Sequence, residues 1–334
     1  MMTKKMTIEM DSSYNDIFER FRKLTPIAEG SETYDVVAIS RSYPHKIGMT
    51  SEGFPMLFIE CADSRSASDI SLKLFRVLFN QVCQLNEHGM VSDKEYTIVQ
   101  LNSSNMDFQK YFLEVMCLIF ERIPIKPTVD QLRKEVGKII SMFTGNASVS
   151  KEVVKGLWAE LFLIERAKNT DYLVASWHVT PEDKYDFNDG IDKIEVKCTG
   201  NVERVHHFAI EQLNPNNDSQ LLIASCIIIA TGIGTSVLDL VDRISIKLTD
   251  VDLRLKLKSI VMQTIGDHFD EVKKMKFDYV SAKDNLRLYD YRKIPAIRLS
   301  DVPDGVTDVH FAVCLKNLEE SKYKTLNSKL FNAL

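Results

Sequence analysis

The chain has 334 residues, 45% hydrophobic and 27% charged, with a formal net charge of -5. That balance supplies core for about two globular domains. It excludes a chain whose global basic field would coat a polyanion, though not one with a local basic groove.

In chain order, "NDIFERFRKL" reads as an amphipathic helix, and "YDVVAIS", "FPMLFIEC" and "EYTIVQLN" as strands. "DFQKYFLEVMCLIFERI" carries apolar residues at helical spacing and stops before "PIKP". Residues 1–125 are therefore expected to form a mixed α/β N-terminal domain, and 126–147 a helical connector closing in the turn-forming "TGNAS". A core unit over 148–232 opens with the helix "SKEVVKGLWAELFLIERAKN". Strand-like runs follow at 172–179, 192–198, 204–210 and 219–230. The last of these holds the longest apolar run, 221–230, half the length of a bilayer span and so a buried strand. A C-terminal extension, 233–334, has two helical stretches, "SVLDLVDRISIKL" and "DVDLRLKLKSIVMQTIG", and two closing strands, "AIRLSDV" and "DVHFAVCL". The class is α/β or α+β.

Six cysteines stand singly without a C-x-x-C, and among seven histidines only His206 and His207 cluster. Zinc and a disulfide framework are both unexpected. "MMTKKMTIEMDSS" lacks the apolar segment of a signal peptide, so a cytoplasmic protein without membrane association is expected.

Chemistry concentrates in 150–212. The opening helix has an apolar stripe through Val153, Leu157, Leu161 and Ile164, and Glu160 projects from that stripe rather than from the polar side. A carboxylate there must be paired, metal-bound, protonated, or at the stripe's edge reaching solvent. In "WHVTPEDKYDFNDGIDKIEVK", Asp186 stands between Tyr185 and Phe187, and "NDG" then turns into the run "DKIEVKCTG". Strand alternation puts Glu195, Lys197 and Thr199 on one face of that run and Ile194, Val196 and Cys198 on the other. The hairpin brings Asp186 and Glu195 to the same end of neighbouring strands, with Glu160 approaching from the helix. Clustered carboxylates repel unless a cation lies between them, and hard oxygen ligands suit Mg²⁺. The chemistry suggested is metal-assisted phosphodiester hydrolysis, with Lys197 orienting water or offsetting charge on the phosphate. The triplet E-x-K alone carries no weight: it occurs four times, at Glu182/Lys184, Glu195/Lys197, Glu271/Lys273 and Glu320/Lys322. Only the copy at 195 lies in a β-alternating run after an aromatic-flanked Asp and a helix with an inward Glu.

"GLWAELFLIE", "YDFNDGIDKIEVKCTG" and "RVHHFAIEQL" resemble the PD-(D/E)XK nuclease superfamily, and more narrowly a bacterial family of PD-(D/E)XK motif proteins encoded beside restriction and phage-defence genes. The resemblance implies a restriction-endonuclease-like αβββαβ core. It implies Glu160, Asp186, Glu195 and Lys197 as catalytic residues. Mg²⁺, with Mn²⁺ as a substitute, would be held by Asp186, Glu195 and the Val196 backbone carbonyl, with Glu160 reaching it through water. Tyr185 stands where the superfamily's name has proline. DNA is the implied partner, together with subunits of a defence system (ATPases and a methyltransferase among family neighbours) or a second copy of the chain. Thr199, His207 and Gln212 are candidates for DNA or water contacts, against bland readings as a strand end, a strand histidine and a helix-starting glutamine. Trp158 and Trp177 read as core, with base stacking the minor alternative. Two competing readings are a non-catalytic subunit that scaffolds a DNA-binding defence complex and a plain α/β interaction domain.

Overall fold

The computed structural model describes residues 16–334 apart from 29, 144–148, 180–182, 217 and 326. The N-terminal "MMTKKMTIEMDSS", the turn at "TGNAS" and Glu182 of the first E-x-K copy lie outside the described residues. Contacts divide the chain into two compact units, Met1–Thr144 and Gly145–Leu334.

The first unit starts with α1 (Ile17–Arg22) and six strands: β1 (Thr33–Ala38), β2 (Lys46–Met49), β3 (Pro55–Ile59), β4 (Ile70–Ser71), β5 (Phe75–Glu87) and β6 (Met90–Leu101). Their order is β1-β2-β3-β6-β5-β4, and β5 pairs back in parallel with β1 through Thr33↔Gln84, so five strands close on themselves. Val36, Phe58, Leu85 and Ile98, from four of those strands, share one core cluster. Helix α2 (Met106–Arg122) follows, its first turn capped by Asn105 accepting from the Phe108 N–H at 2.9 Å. Its residues 115–120 are all buried, and α3 (Val129–Phe143) ends the unit.

The second unit opens with α4 (Lys151–Arg166) and α5 (Thr170–Ser176), then β7 (Phe187–Asn188), β8 (Lys193–Thr199) and β9 (Val205–Ala209). A 3-10 turn, Ile210–Leu213, leads to β10 (Leu221–Ile227), whose residues are all buried, and β11 (Ala230–Thr231). Beyond them lie α6 (Val237–Lys247), α7 (Val251–Ile265), α8 (Phe269–Lys274), β12 (Lys276–Phe277), α9 (Tyr279–Asn285), β13 (Arg287–Asp290), β14 (His310–Cys314) and α10 (Lys329–Asn332). The central sheet has the order β13-β10-β8-β7, with β8 and β10 parallel and both outer pairs antiparallel. Strand β9 leaves this sheet and forms a ribbon with β14. Ribbon and sheet are joined by buried polar groups: Arg204 donates to the Ser225 carbonyl and hydroxyl at 3.1 and 3.0 Å, and His206 Nε2 lies 2.8 Å from the same hydroxyl. Phe208, Leu213 and Val313 pack on Leu221 and Ile223 of β10 and on Tyr185. Among the described residues no helix is long and apolar enough to cross a membrane.

Three sequence readings are corrected. Residues 172–179 are not a strand, because Asn169 caps α5 by accepting from the Tyr172 N–H at 3.0 Å and the apolar run continues as helix. A short apolar run fits a buried helix face as well as a strand. "AIRLSDV" is not a strand either. It holds a 3-10 turn at Leu299–Asp301 with Ile297 and Leu299 exposed, while the pairing strand beside β10 is β13, upstream. On α4, Val153 is 43% exposed, and Val154 is the residue that turns inward.

Candidate active site

The site forms where β7 stops. Only Phe187 and Asn188 pair with β8, opposite Ile194 and Lys193, so the ladder ends before Glu195. The Val196 N–H then has no strand partner on that side and donates to Asp186 Oδ2 at 2.6 Å. A strand residue's N–H and C=O point to the same side, so the Val196 carbonyl faces this edge as well. Continuing the register places Asp186 opposite Glu195, on the same face of the sheet.

Glu195 is 3% exposed. Its Oε1 pairs with Lys197 Nζ at 2.8 Å and accepts from Gln212 Nε2 at 2.6 Å, while Lys197 Nζ donates to Gln212 Oε1 at 3.0 Å. Gln212 is itself fixed by the Ala209 N–H, which donates to its Oε1 at 3.2 Å, so the 3-10 turn after β9 clamps both members of the pair. Lys197 Nζ sits 5.2 Å from the Phe208 ring centroid. Glu195 Oε2 is buried and has no hydrogen-bond partner. Burial and the Glu195 and Glu160 carboxylates push Asp186 well above the usual carboxylate range, against the Val196 N–H and the Lys197 charge. Burial raises Glu195 too, with Lys197 opposing and Glu160 adding. A pair of carboxylates that resists joint ionisation is a place for a cation.

Glu160 comes from α4, half-buried between the helix and this edge. Its Oε2 accepts from Trp177 Nε1 at 2.7 Å and lies 3.0 Å from His178 Nε2. Trp177 and His178 are held against the Asp186 segment by a bridge, Trp177↔Phe187, and by the His178 N–H donating to the Asp186 carbonyl at 2.8 Å. Lys256 of α7 donates to the carbonyls of Ala175 and Trp177 at 2.8 and 2.6 Å, anchoring the end of α5. Ligand atoms of Glu160, His178 and Asp186 all lie within 4.8 Å of one another.

The structure thus brings Glu160, Asp186, Glu195 and Lys197 together. Gln212 joins them, not as an outward-facing contact but as the link between Glu195 and Lys197. His207 is exposed on the ribbon, opposite Ala312. The Thr199 hydroxyl accepts from the Asn201 N–H at 3.1 Å and so caps the turn after β8. Trp158 is fully buried, stacked on Phe162, with its Nε1 donating to the Thr235 carbonyl at 2.9 Å. Trp177 is buried as well, but against Glu160. Sequence reasoning missed His178. Its only signal was a place beside Trp177, eight residues before Asp186 in a segment misread as a strand. It also missed Lys155 of α4, whose Nζ lies 3.6 Å from where a Cβ on Gly200 would stand, at the end of β8.

The donor set fits a hard divalent cation: Glu160 and Asp186 converge with His178, and the adjoining Glu195 has a buried oxygen without a partner. Comparison with curated proteins finds no match, and comparison with solved structures finds none. A family model described as "Putative PD-(D/E)XK family member, (DUF4420)" matches residues 16–316. With the match covering both units, the chain belongs to this family, whose PD-(D/E)XK description agrees with the acidic and lysine cluster at the edge of β8.

Proposed function

We propose that the protein is a divalent-metal-dependent endodeoxyribonuclease, hydrolysing phosphodiester bonds at the β8 edge. The observation that carries this reading is Glu195: one oxygen is tied to Lys197 and Gln212, and the other is buried without a partner beside Asp186. An isolated buried carboxylate oxygen is costly, and a cation removes that cost. Asp186, Glu195 and the Val196 carbonyl would hold it, with Glu160 reaching it directly or through water. Mg²⁺ suits such oxygens, with Mn²⁺ as a substitute. When bound, the ion would supply Lewis-acid polarisation of a phosphoryl oxygen. Lys197, whose Nζ is held by Glu195 and Gln212, is preorganised to orient the attacking water and to offset charge developing on the phosphate. Trp177 holds Glu160 in place through its Nε1, which donates to Glu160 Oε2. Lys155 has no carboxylate at ion-pair distance among the described residues, so its charge is available to a DNA phosphate. The αβββαβ core belongs to this same reading. It is supported by the order α4-β7-β8-β9-β10, with α5 inserted and a 3-10 turn where a second helix is implied. The resemblance to proteins of restriction and phage-defence loci supports a role in such a system, with partner subunits or a second copy loading the DNA.

The test is cleavage of supercoiled and linear DNA by the full chain with Mg²⁺, with Mn²⁺ and with EDTA, beside Asp186→Asn. Cleavage is expected only with metal and only in the wild type. Metal binding, read as a raised Tm, without cleavage of any DNA form would favour the non-catalytic scaffold. Neither cleavage nor metal binding would overturn the assignment of this site.

A further inference from the structure

Glu160, His178 and Asp186 come from three separate segments: α4, the loop after α5, and the approach to β7. All three are half-buried, and their ligand atoms lie within 4.8 Å of one another. The imidazole does not reach this place by accident of a flexible side chain. Its backbone N–H donates to the Asp186 carbonyl, the Trp177↔Phe187 bridge fixes the two segments together, and Lys256 holds the Trp177 carbonyl. A fourth donor adjoins the group. Glu195 is 3% exposed, has a buried oxygen without a partner, and interacts electrostatically with both Asp186 and Glu160.

We propose that His178 is a metal ligand, completing with Glu160 and Asp186 a mixed nitrogen–oxygen site that takes Mn²⁺ in preference to Mg²⁺. The inference rests on the metal-dependent reading above and goes beyond it, because an all-oxygen site gives no reason for that preference. The spacing of His178 Nε2 and Glu160 Oε2 is 3.0 Å. Two donors each about 2.1 Å from one ion and at right angles to each other would stand about 3 Å apart. Mg²⁺ is hard, prefers oxygen and keeps its waters, so an imidazole adds little to its binding. Transition-metal dications accept imidazole nitrogen readily, and a donor set of one imidazole with carboxylates therefore separates the two ions.

The experiment uses the full chain without DNA, so it reads binding and not turnover. Mn²⁺ binding is followed by loss of the free-ion electron paramagnetic resonance signal and Mg²⁺ by competition, for wild type, His178→Ala and Asp186→Asn. Wild type should bind Mn²⁺ at least about tenfold more tightly than Mg²⁺. In His178→Ala, Mn²⁺ should weaken by about tenfold or more and Mg²⁺ by much less, collapsing the ratio. Asp186→Asn should lose both ions. Spin-echo modulation of Mn²⁺ on wild type should show coupling to an imidazole ¹⁴N, a readout that needs no variant and stands even where His178→Ala does not fold. Tight Mn²⁺ without nitrogen coupling, or an unchanged ratio in folded His178→Ala, overturns this inference and leaves the nuclease reading intact. A wild type that binds neither ion overturns both.

Discussion

The letters E-V-K occur twice in this chain, and the two copies do opposite things. At 195–197 they lie on β8, where a period of two puts Glu and Lys on one face, 2.8 Å apart, over a half-buried valine. At 271–273 they lie on α8, where Val272 is fully buried and Glu271 is exposed, 3.2 Å from the N-cap residue His268. In the helix the apolar member faces the core and both charged members stay on the exposed side. In the strand the charges are forced together and a third group, Gln212, locks them. The backbone period, not the tripeptide, converts a charge pair into a site.

That contrast can be broken at its strongest point first. Lys197→Ala should slow DNA cleavage by about 10²–10³-fold, the loss expected when one preorganised charge is removed, while the metal-induced rise in Tm persists. Cleavage at the wild-type rate by Lys197→Ala would end the nuclease assignment of β8. Gln212→Ala releases the clamp but keeps both charges, and should cost about tenfold to a hundredfold in the same assay. An unchanged rate would reduce Gln212 to a structural role.

The carboxylates make a pH prediction. Asp186 and Glu195 have folded-state pKa values above the unfolded value of about 4, so the folded protein binds the extra protons. Their contribution is complete below about pH 4 and is lost as pH rises through the raised values. In EDTA, the Tm of Asp186→Asn relative to wild type should therefore increase from about pH 5 to about pH 8. His45 and His206, lowered to about 4 by burial, act oppositely, but they are common to both proteins and cancel in the difference. A flat or falling difference would contradict the repulsion described at the site. Smaller still, Lys155→Ala should weaken DNA binding modestly and lower the salt slope by about one, without altering metal-induced stabilisation. An unchanged slope would remove Lys155 from the DNA contacts. Last, Glu271→Ala and Lys273→Ala should leave cleavage unaltered and shift stability by about 0.5 kcal/mol or less. A loss of cleavage in either would mean that the two copies differ less than their settings suggest.

What could be read from the chain was local. Alternation over 192–198 marked β8, and helical spacing put Glu160 on the apolar stripe of α4 or at its solvent-reaching edge, while the stripe's first residue, Val153, was misplaced. Aromatic neighbours and the following turn set Asp186 on a hairpin strand beside Glu195. His178 was not legible, because its approach to Glu160 and Asp186 depends on a bridge between Trp177 and Phe187 and on a lysine from α7. Nor was the role of Gln212, which follows from β9 leaving the sheet and the 3-10 turn folding back over β8.

Sequence by itself determined the period of each segment, the mixed α/β class and the charged residues that a strand would set on one face, because those depend on backbone geometry over a few residues. Tertiary structure alone decided where β7 stops and so which N–H Asp186 receives. It decided whether 172–179 coils or extends, and how β1 meets β5 some fifty residues away. Each of those outcomes depends on pairing and burial between distant segments, where local propensity is nearly balanced and the partner tips it.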